Sequence, residues 1–183
     1  RKAMSGDWLE VMDTAHRLGL KTSATMMFGH VETIEDRIDH LERIRAQQDK
    51  SKGFNAFIAW TFQPENTRLK VAAAGGHEYL RMQALNRIYI DNISNIQSSW
   101  VTQGPEIGQV ALTFGANDLG SIMIEENVNS PAGAHRRANE ELLRNSSLLE
   151  GLIPCKRKAN YTRIEKVTGL NAWHKRDQSL FRS

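Results

Sequence analysis

The residues of this chain that could do chemistry gather in four short clusters, each directly after an apolar stretch. Gly29, His30, Glu32 and Thr33 follow the first, and Gln63, Glu65, Asn66 and Thr67 follow the second. Ser99, Trp100, Thr102 and Gln103 end the third; Asn117, Asp118, Ser121, Glu125, Glu126 and Asn127 end the fourth. Amides and hydroxyls dominate, with Asp118 and Glu126 as carboxylates placed to take up a proton. Neutral donors and acceptors suit a hydroxyl-rich ligand, because a buried polar group left unpaired is costly on either partner. The competing plain readings are ordinary turns at Asn66-Thr67 and Asn117-Asp118. His30 and Glu32 are two potential metal ligands, and two ligands make no metal site; none is expected here.

The elements that must position these clusters alternate between helical and extended patterns. Ser5 can cap a helix that carries Trp8, Met12 and Ala15 on one face, and Gly19 supplies the left-handed residue at its end. A strand is predicted over 21–28. Within it Ser23, Thr25, Met27 and Gly29 share one face, a small, polar and pliable one suited to a ligand-facing lumen. Ala24, Met26 and Phe28 share the other. Thr33 can cap the next helix, whose apolar stripe is Ile34, Ile38, Leu41 and Ile44. Residues 54–62 form a near-continuously apolar second strand, as expected when both faces are covered. A long loop leads to a helix over 77–92, with Leu80, Ala84, Leu85 and Ile88 inward. A third strand is expected over 96–101, a short helix from Pro105, a fourth strand over 116–124 and a last helix over 137–149.

This alternation predicts βαβ units and a parallel sheet. About four strands are too few for a closed (β/α)8 barrel but enough for the C-terminal half of one. The expected fold class is therefore α/β, half of a TIM-type barrel over 1–164, followed by a basic irregular tail over 165–183. A small doubly wound sheet is the alternative, without the glycine-rich loop such sheets usually carry. The start at Arg1, almost directly on a helix, suggests a cut sequence.

Composition is that of a soluble globular protein, with 40% hydrophobic and 25% charged residues. No run approaches the roughly 18 apolar residues of a membrane span, no signal peptide is visible, and a cytoplasmic location is expected. The net charge of +3 is uneven: residues 156–183 hold eight Lys/Arg and two acids, against 16 basic and 19 acidic in the rest. The basic character thus belongs to the tail, and neither nucleic acid nor membrane is an expected partner. Cys155 is the one cysteine, which excludes an intrachain disulfide and a CxxC metal site.

The stretch 25–32, TMMFGHVE, resembles the GxIxGxxE pattern of radical S-adenosylmethionine enzymes, with Gly29 and Glu32 matching and Thr25 and Met27 replacing the first glycine and the isoleucine. Four longer blocks resemble the cyclic dehypoxanthinyl futalosine synthase family of menaquinone biosynthesis. They are ATMMFGHVET (24–33), FQPENT (62–67), IQSSWVTQGP (96–105) and FGANDLGSIMIEENV (114–128). Aminofutalosine synthases and coenzyme F420 precursor synthases share the first and last blocks, while FQPENT and WVTQGP favour the cyclase. The likeness covers residues 8–161, with 151–161 resembling the family's final strand-like element.

The resemblance implies a radical enzyme that uses S-adenosylmethionine and a 4Fe–4S cluster, whose CxxxCxxC ligands would lie upstream of Arg1. It implies a 5′-deoxyadenosyl radical that takes the ribose C4′ hydrogen of dehypoxanthine futalosine, followed by spiro-ring closure. Thr25, Met27, Gly29 and Glu32 would line the cofactor. His30, Gln63, Asn66, Ser99, Gln103 and Asn117 would contact substrate hydroxyls and carboxylate, and Asp118 or Glu126 would accept the proton lost after cyclisation. The missing N-terminal half-barrel and a reductant such as flavodoxin or ferredoxin are the implied partners. Without the cluster motif the segment alone is expected to be inactive. The readings of other classes are a non-catalytic interaction module using exposed half-barrel edges and a metal-independent barrel enzyme.

Overall fold

A computed structural model describes residues 4–122 and 138–166 of the chain. Its elements run α1 (Ser5–Arg17), β1 (Thr22–Phe28), α2 (Ile34–Ser51), β2 (Phe54–Thr61), α3 (Gly76–Tyr89), β3 (Ile96–Gln97), α4 (Trp100–Gln103), α5 (Pro105–Val110), α6 (Glu140–Leu149), β4 (Cys155–Arg157) and β5 (Arg163–Lys166). Strands β1, β2 and β3 form one parallel sheet in that order. The mixed α/β class with a parallel sheet is as expected.

Local chemistry accounts for the main boundaries. The Thr33 hydroxyl accepts the Asp36 N–H at 3.1 Å while Asp36 Oδ2 takes the Thr33 N–H at 2.8 Å, a reciprocal cap that starts α2. Pro105 opens α5, where its missing N–H is no loss. Gly19 follows α1 with φ +84°, the left-handed turn its position required.

The sheet has two unlike faces. On β1, Ala24, Met26 and Phe28 are buried with Leu41 and Ile44 of α2, while Ser23, Thr25 and Met27 are exposed. Across the ladder Thr25 pairs with Ile58 and Met27 with Trp60. Met27 is 47% exposed and Trp60 36%, so the face is open at its strand-end side, while Thr25, Ile58 and Gln97 wall a cavity shared with Leu143 of α6 and Pro154.

Three expectations need correction. The third strand is two residues long, because the Ser99 N–H donates to the Tyr79 hydroxyl (2.7 Å) instead of a neighbouring strand. Ser99 and Thr102 hydroxyls then stabilise the turn that opens α4, at 3.0 Å from each other. The fourth strand is reduced, among the described residues, to a single parallel bridge between Gln97 and Asp118, with Ser98 N–H on Asp118 O at 2.8 Å. On α3 the inward residues include Tyr79, Met82, Gln83 and Asn86; Leu80 and Leu85 pack at the core's margin, and Ile88 is 76% exposed. Apart from these, Cys155–Arg157 and Arg163–Lys166 pair as an antiparallel hairpin, β4 with β5. Residues 167–183 and Glu126 lie outside the described residues.

Candidate functional site

The strand ends build two adjoining groups of side chains. The first lies on the open face of the sheet. Thr25, Ile58, Gln97 and Asp118 form one row across it, since each is the register partner of the next. Gln97 packs over Gly120, where a β-carbon would come within 2.7 Å of Gln97 Nε2. Met27 and Trp60 stand one step further along, towards the strand ends. The face thus offers a hydroxyl, an amide and soft apolar surface side by side.

The second group is the rim after β1 and β2. The Gly29 N–H donates to Glu32 Oε1 at 2.6 Å and the His30 N–H to Glu32 Oε2 at 2.9 Å. Arg37, from α2, donates to Glu32 Oε1 at 2.8 Å and to Glu78 Oε1 of α3 at 2.8 Å, with its guanidinium 4.9 Å from the Phe28 ring centre. Burial opposes the Glu32 charge, but the backbone N–H groups and Arg37 overcome it and hold the carboxyl at about 2. Glu32 is therefore a clip on the Gly29 turn, with both oxygens engaged inside the chain. His30 Nδ1 lies 3.1 Å from Glu32 Oε2, and its ring packs edge-on against Phe62.

The space beside Gly29 is taken by Ala74 from the loop before α3. The carbonyl of that same Ala74 accepts Gln103 Nε2 at 3.3 Å, and Gln103 Nε2 also reaches Thr61 Oγ1 at 2.6 Å. Gln63 Nε2 meets the same Thr61 Oγ1 at 3.1 Å. The Gly29 turn, Ala74, Gln103, Thr61 and Gln63 are thus one contiguous set.

Other expected site residues fall elsewhere. Ser99 is 6% exposed, with its hydroxyl turned to Thr102. Asn66 is exposed at φ +56° in a turn where Thr67 Oγ1 donates to Pro64 O at 2.8 Å. Asn117 sits towards the start of β3: its Oδ1 accepts Ile96 N–H at 2.9 Å and Arg87 at 3.0 Å, and its Nδ2 donates to Ser94 O at 3.0 Å. Asp118 Oδ2 takes two Arg157 N–H groups, at 3.0 and 2.6 Å, and Oδ1 takes Gly120 N–H at 2.8 Å. The Arg157 guanidinium lies 4.0 Å from the Tyr161 ring centre. Burial, with the Asp118 charge beside it, pushes the Tyr161 hydroxyl up to about 12.

Thr61, Trp60, Gln97, Arg37 and Tyr79 were not among the residues singled out from sequence for the site. Thr61 had a visible signal, a lone hydroxyl ending an apolar strand. Arg37 and Tyr79 act across distant stretches of chain and had none.

Among the described residues no helix is long and apolar enough to cross a membrane, and no group of three His, Cys, Asp or Glu is placed to hold a metal ion. A 4Fe–4S cluster held by three thiolates does not fit these residues, since Cys155 is the only cysteine of the chain and is exposed. An adenosyl group fits better: the Thr25 hydroxyl and the exposed Met27 lie on the same face of β1, with Trp60 the register partner of Met27.

A three-stranded parallel sheet with helices between its strands defines a βαβ-built α/β fold. The chain belongs to the CofH/MqnC family of radical S-adenosylmethionine enzymes, whose C-terminal region matches residues 51–169. A cyclic dehypoxanthine futalosine synthase of Streptomyces coelicolor is 48% identical over 86% of this chain and 40% of its own length. An aminodeoxyfutalosine synthase of Thermus thermophilus is 39% identical over 89% of the chain and 46% of its own. A 5-amino-6-(D-ribitylamino)uracil–L-tyrosine 4-hydroxyphenyl transferase of Methanosphaerula palustris is 44% identical over 73% of the chain and 38% of its own. The chain thus spans less than half the length of these relatives.

Proposed function

We propose that this segment is the C-terminal half of a (β/α)8 barrel that cyclises dehypoxanthine futalosine in menaquinone biosynthesis. The carrying observation is the two-faced sheet. Ala24, Met26 and Phe28 are buried under helices, while Thr25, Met27 and Trp60 stay open on the other side. An uncovered face of that kind is the wall of a lumen that further strands would close. The 48% identity to the Streptomyces cyclic synthase, together with FQPENT and WVTQGP, favours the cyclase over the two sister activities.

S-adenosylmethionine, once bound, supplies the hydrogen-atom abstraction that starts the reaction. The residues of this chain have other tasks. Thr25 and Met27 form the wall for the adenosyl group. Glu32 and Arg37 fix the Gly29 turn beside it. Gln63 and Gln103 hold the substrate's sugar, and the closed lumen keeps water from the reacting carbon. Asp118 or Glu126 accepts the proton lost after ring closure. Asp118 would do so either at Oδ1, which now takes the Gly120 N–H, or by releasing Arg157.

The test is the full-length protein containing this segment, prepared anaerobically with its cluster and a flavodoxin or ferredoxin reductant. Formation of the cyclic product from dehypoxanthine futalosine supports the reading. Turnover of 5-amino-6-(D-ribitylamino)uracil with tyrosine, and none of dehypoxanthine futalosine, would move the assignment to a sister activity. Residues 1–183 expressed alone are expected to aggregate and to be inactive, because among the described residues no strand pairs with the outer edge of β1 and Met27 and Trp60 stay exposed. A soluble, cooperatively melting monomer would favour an independent interaction module.

A further inference from the structure

Thr61 ends β2 and is 2% exposed, yet its hydroxyl oxygen is the meeting point of two side-chain amides. Gln63 Nε2 donates to Thr61 Oγ1 and to the Thr61 carbonyl, each at 3.1 Å. Gln103 Nε2 donates to Thr61 Oγ1 at 2.6 Å and to the Ala74 carbonyl at 3.3 Å. A backbone carbonyl can only accept. Each amide must therefore turn its NH2 group inward, which dictates the orientation of both. Gln63 and Gln103 are partly exposed, so the atoms left to face outward are their two Oε1 carbonyl oxygens.

We propose that Thr61 is a specificity-determining residue: by holding both Nε2 atoms it makes the rim a pair of carbonyl acceptors that select ligand hydroxyl or N–H donors. Such a pair repels a carboxylate, because two acceptors facing an anion leave every lone pair unmatched. This rests on the reading of the site as one for a ribose-bearing substrate. It narrows the roles of Gln63 and Gln103 to the sugar hydroxyls and sends the substrate carboxylate elsewhere.

The test uses the full-length protein and calorimetric titration with two probes: dehypoxanthine futalosine, and an analogue lacking its ribose hydroxyls. Thr61→Val removes the hydroxyl and leaves each amide one backbone carbonyl, Thr61 O at 3.1 Å for Gln63 and Ala74 O at 3.3 Å for Gln103, so each orientation is held by one hydrogen bond instead of two. It is expected to weaken the first probe about tenfold and the second less than about twofold. Thr61→Ser, which keeps the oxygen, is expected to restore the first probe to within about threefold of the unaltered protein. Gln103→Met removes one acceptor with Thr61 in place and is expected to show the same selective loss, which keeps the test decisive if Val at position 61 prevents folding. Equal weakening of both probes, or none, overturns the proposal. Failure of the unaltered protein to bind either probe overturns the ribose reading itself, and is recognised by its independence from position 61.

Discussion

Gly29 and Ala74 approach so closely that a β-carbon on Gly29 would lie 2.7 Å from the β-carbon of Ala74. Gly29 also holds φ at +85°, where a β-carbon is strained whatever the space around it. The contact ties the turn after β1 to the loop after β2, and through the Ala74 carbonyl to Gln103. Close approach to this glycine comes from the chain itself.

Gly29→Ala should therefore destabilise the full-length protein by about 1–3 kcal/mol, from both the φ penalty and the clash. Urea unfolding measures it. Adding Ala74→Gly removes the clash and leaves the φ penalty, so the double variant should recover part of the loss. A double variant no more stable than Gly29→Ala would show that the Ala74 contact is unimportant.

The Glu32 clip has a defined acid signature. Its folded carboxyl titrates at about 2, against an ordinary 4.5, so the unfolded chain takes up this proton first as pH falls. Stability from Glu32 is full above pH 4.5 and is lost as pH falls through about 2. Glu32→Gln should thus be less stable than the unaltered protein at neutral pH, with a gap that narrows below pH 4.5. Arg37→Met at pH 7 should cost about 2 kcal/mol, since it removes the donor that bridges Glu32 and Glu78. Unfolding curves over a pH series check both; a gap constant down to pH 2 would contradict the clip.

Much of β1 could be read in advance because alternation is local. The buried Ala24, Met26 and Phe28 and the open Ser23, Thr25 and Met27 follow from a period of two. The inward face of α3 could not. A hydrophobic stripe assumes that amides face water, yet Gln83 and Asn86 are fully buried while Ile88 is exposed. The third strand failed for a related reason: Ser98, Ser99 and Thr102 satisfy the backbone locally and through Tyr79, and so shorten the ladder. In the site, Gln63 and Gln103 were legible as strand-end amides. That Gln103 meets Gln63 at the Thr61 hydroxyl was not, because residues 42 positions apart in sequence meet only in the fold.

His16 gives a second pH dependence, at the opposite end of the sheet. Its Nδ1 lies 2.6 Å from Ser51 Oγ and its Nε2 2.8 Å from Thr22 Oγ1, and its ring meets Phe54 edge-on. Burial, then the nearby Lys21, lowers its pKa below the ordinary 6.5, with Asp13 opposing. The folded state thus disfavours the proton that the unfolded state accepts. The stability concerned is present above pH 6.5 and declines as pH falls below it. His40, on α2, is lowered by burial as well and acts in the same direction. His16→Gln should therefore remove only part of the loss between pH 7.5 and 5, read from unfolding free energies. An unchanged slope would assign the whole effect to His40 or other groups.

Arg157 and Asp118, 39 residues apart, join the β4–β5 hairpin to the bridge strand at Asp118, and neither side chain is more than 21% exposed. Removing one partner leaves the other charge poorly solvated, whereas removing both does not. Arg157→Gln and Asp118→Asn should each cost about 2 kcal/mol, and the double variant should cost less than their sum. The same cycle bears on catalysis. If Asp118 acts only as the partner of Arg157, both single variants should lower turnover alike, and the double variant should lose no more than either. If Asp118 accepts the proton after ring closure, Asp118→Asn should abolish turnover while Arg157→Gln, which frees the carboxylate, should spare the proton-transfer step. Single-turnover rates of product formation in the full-length protein separate the two outcomes.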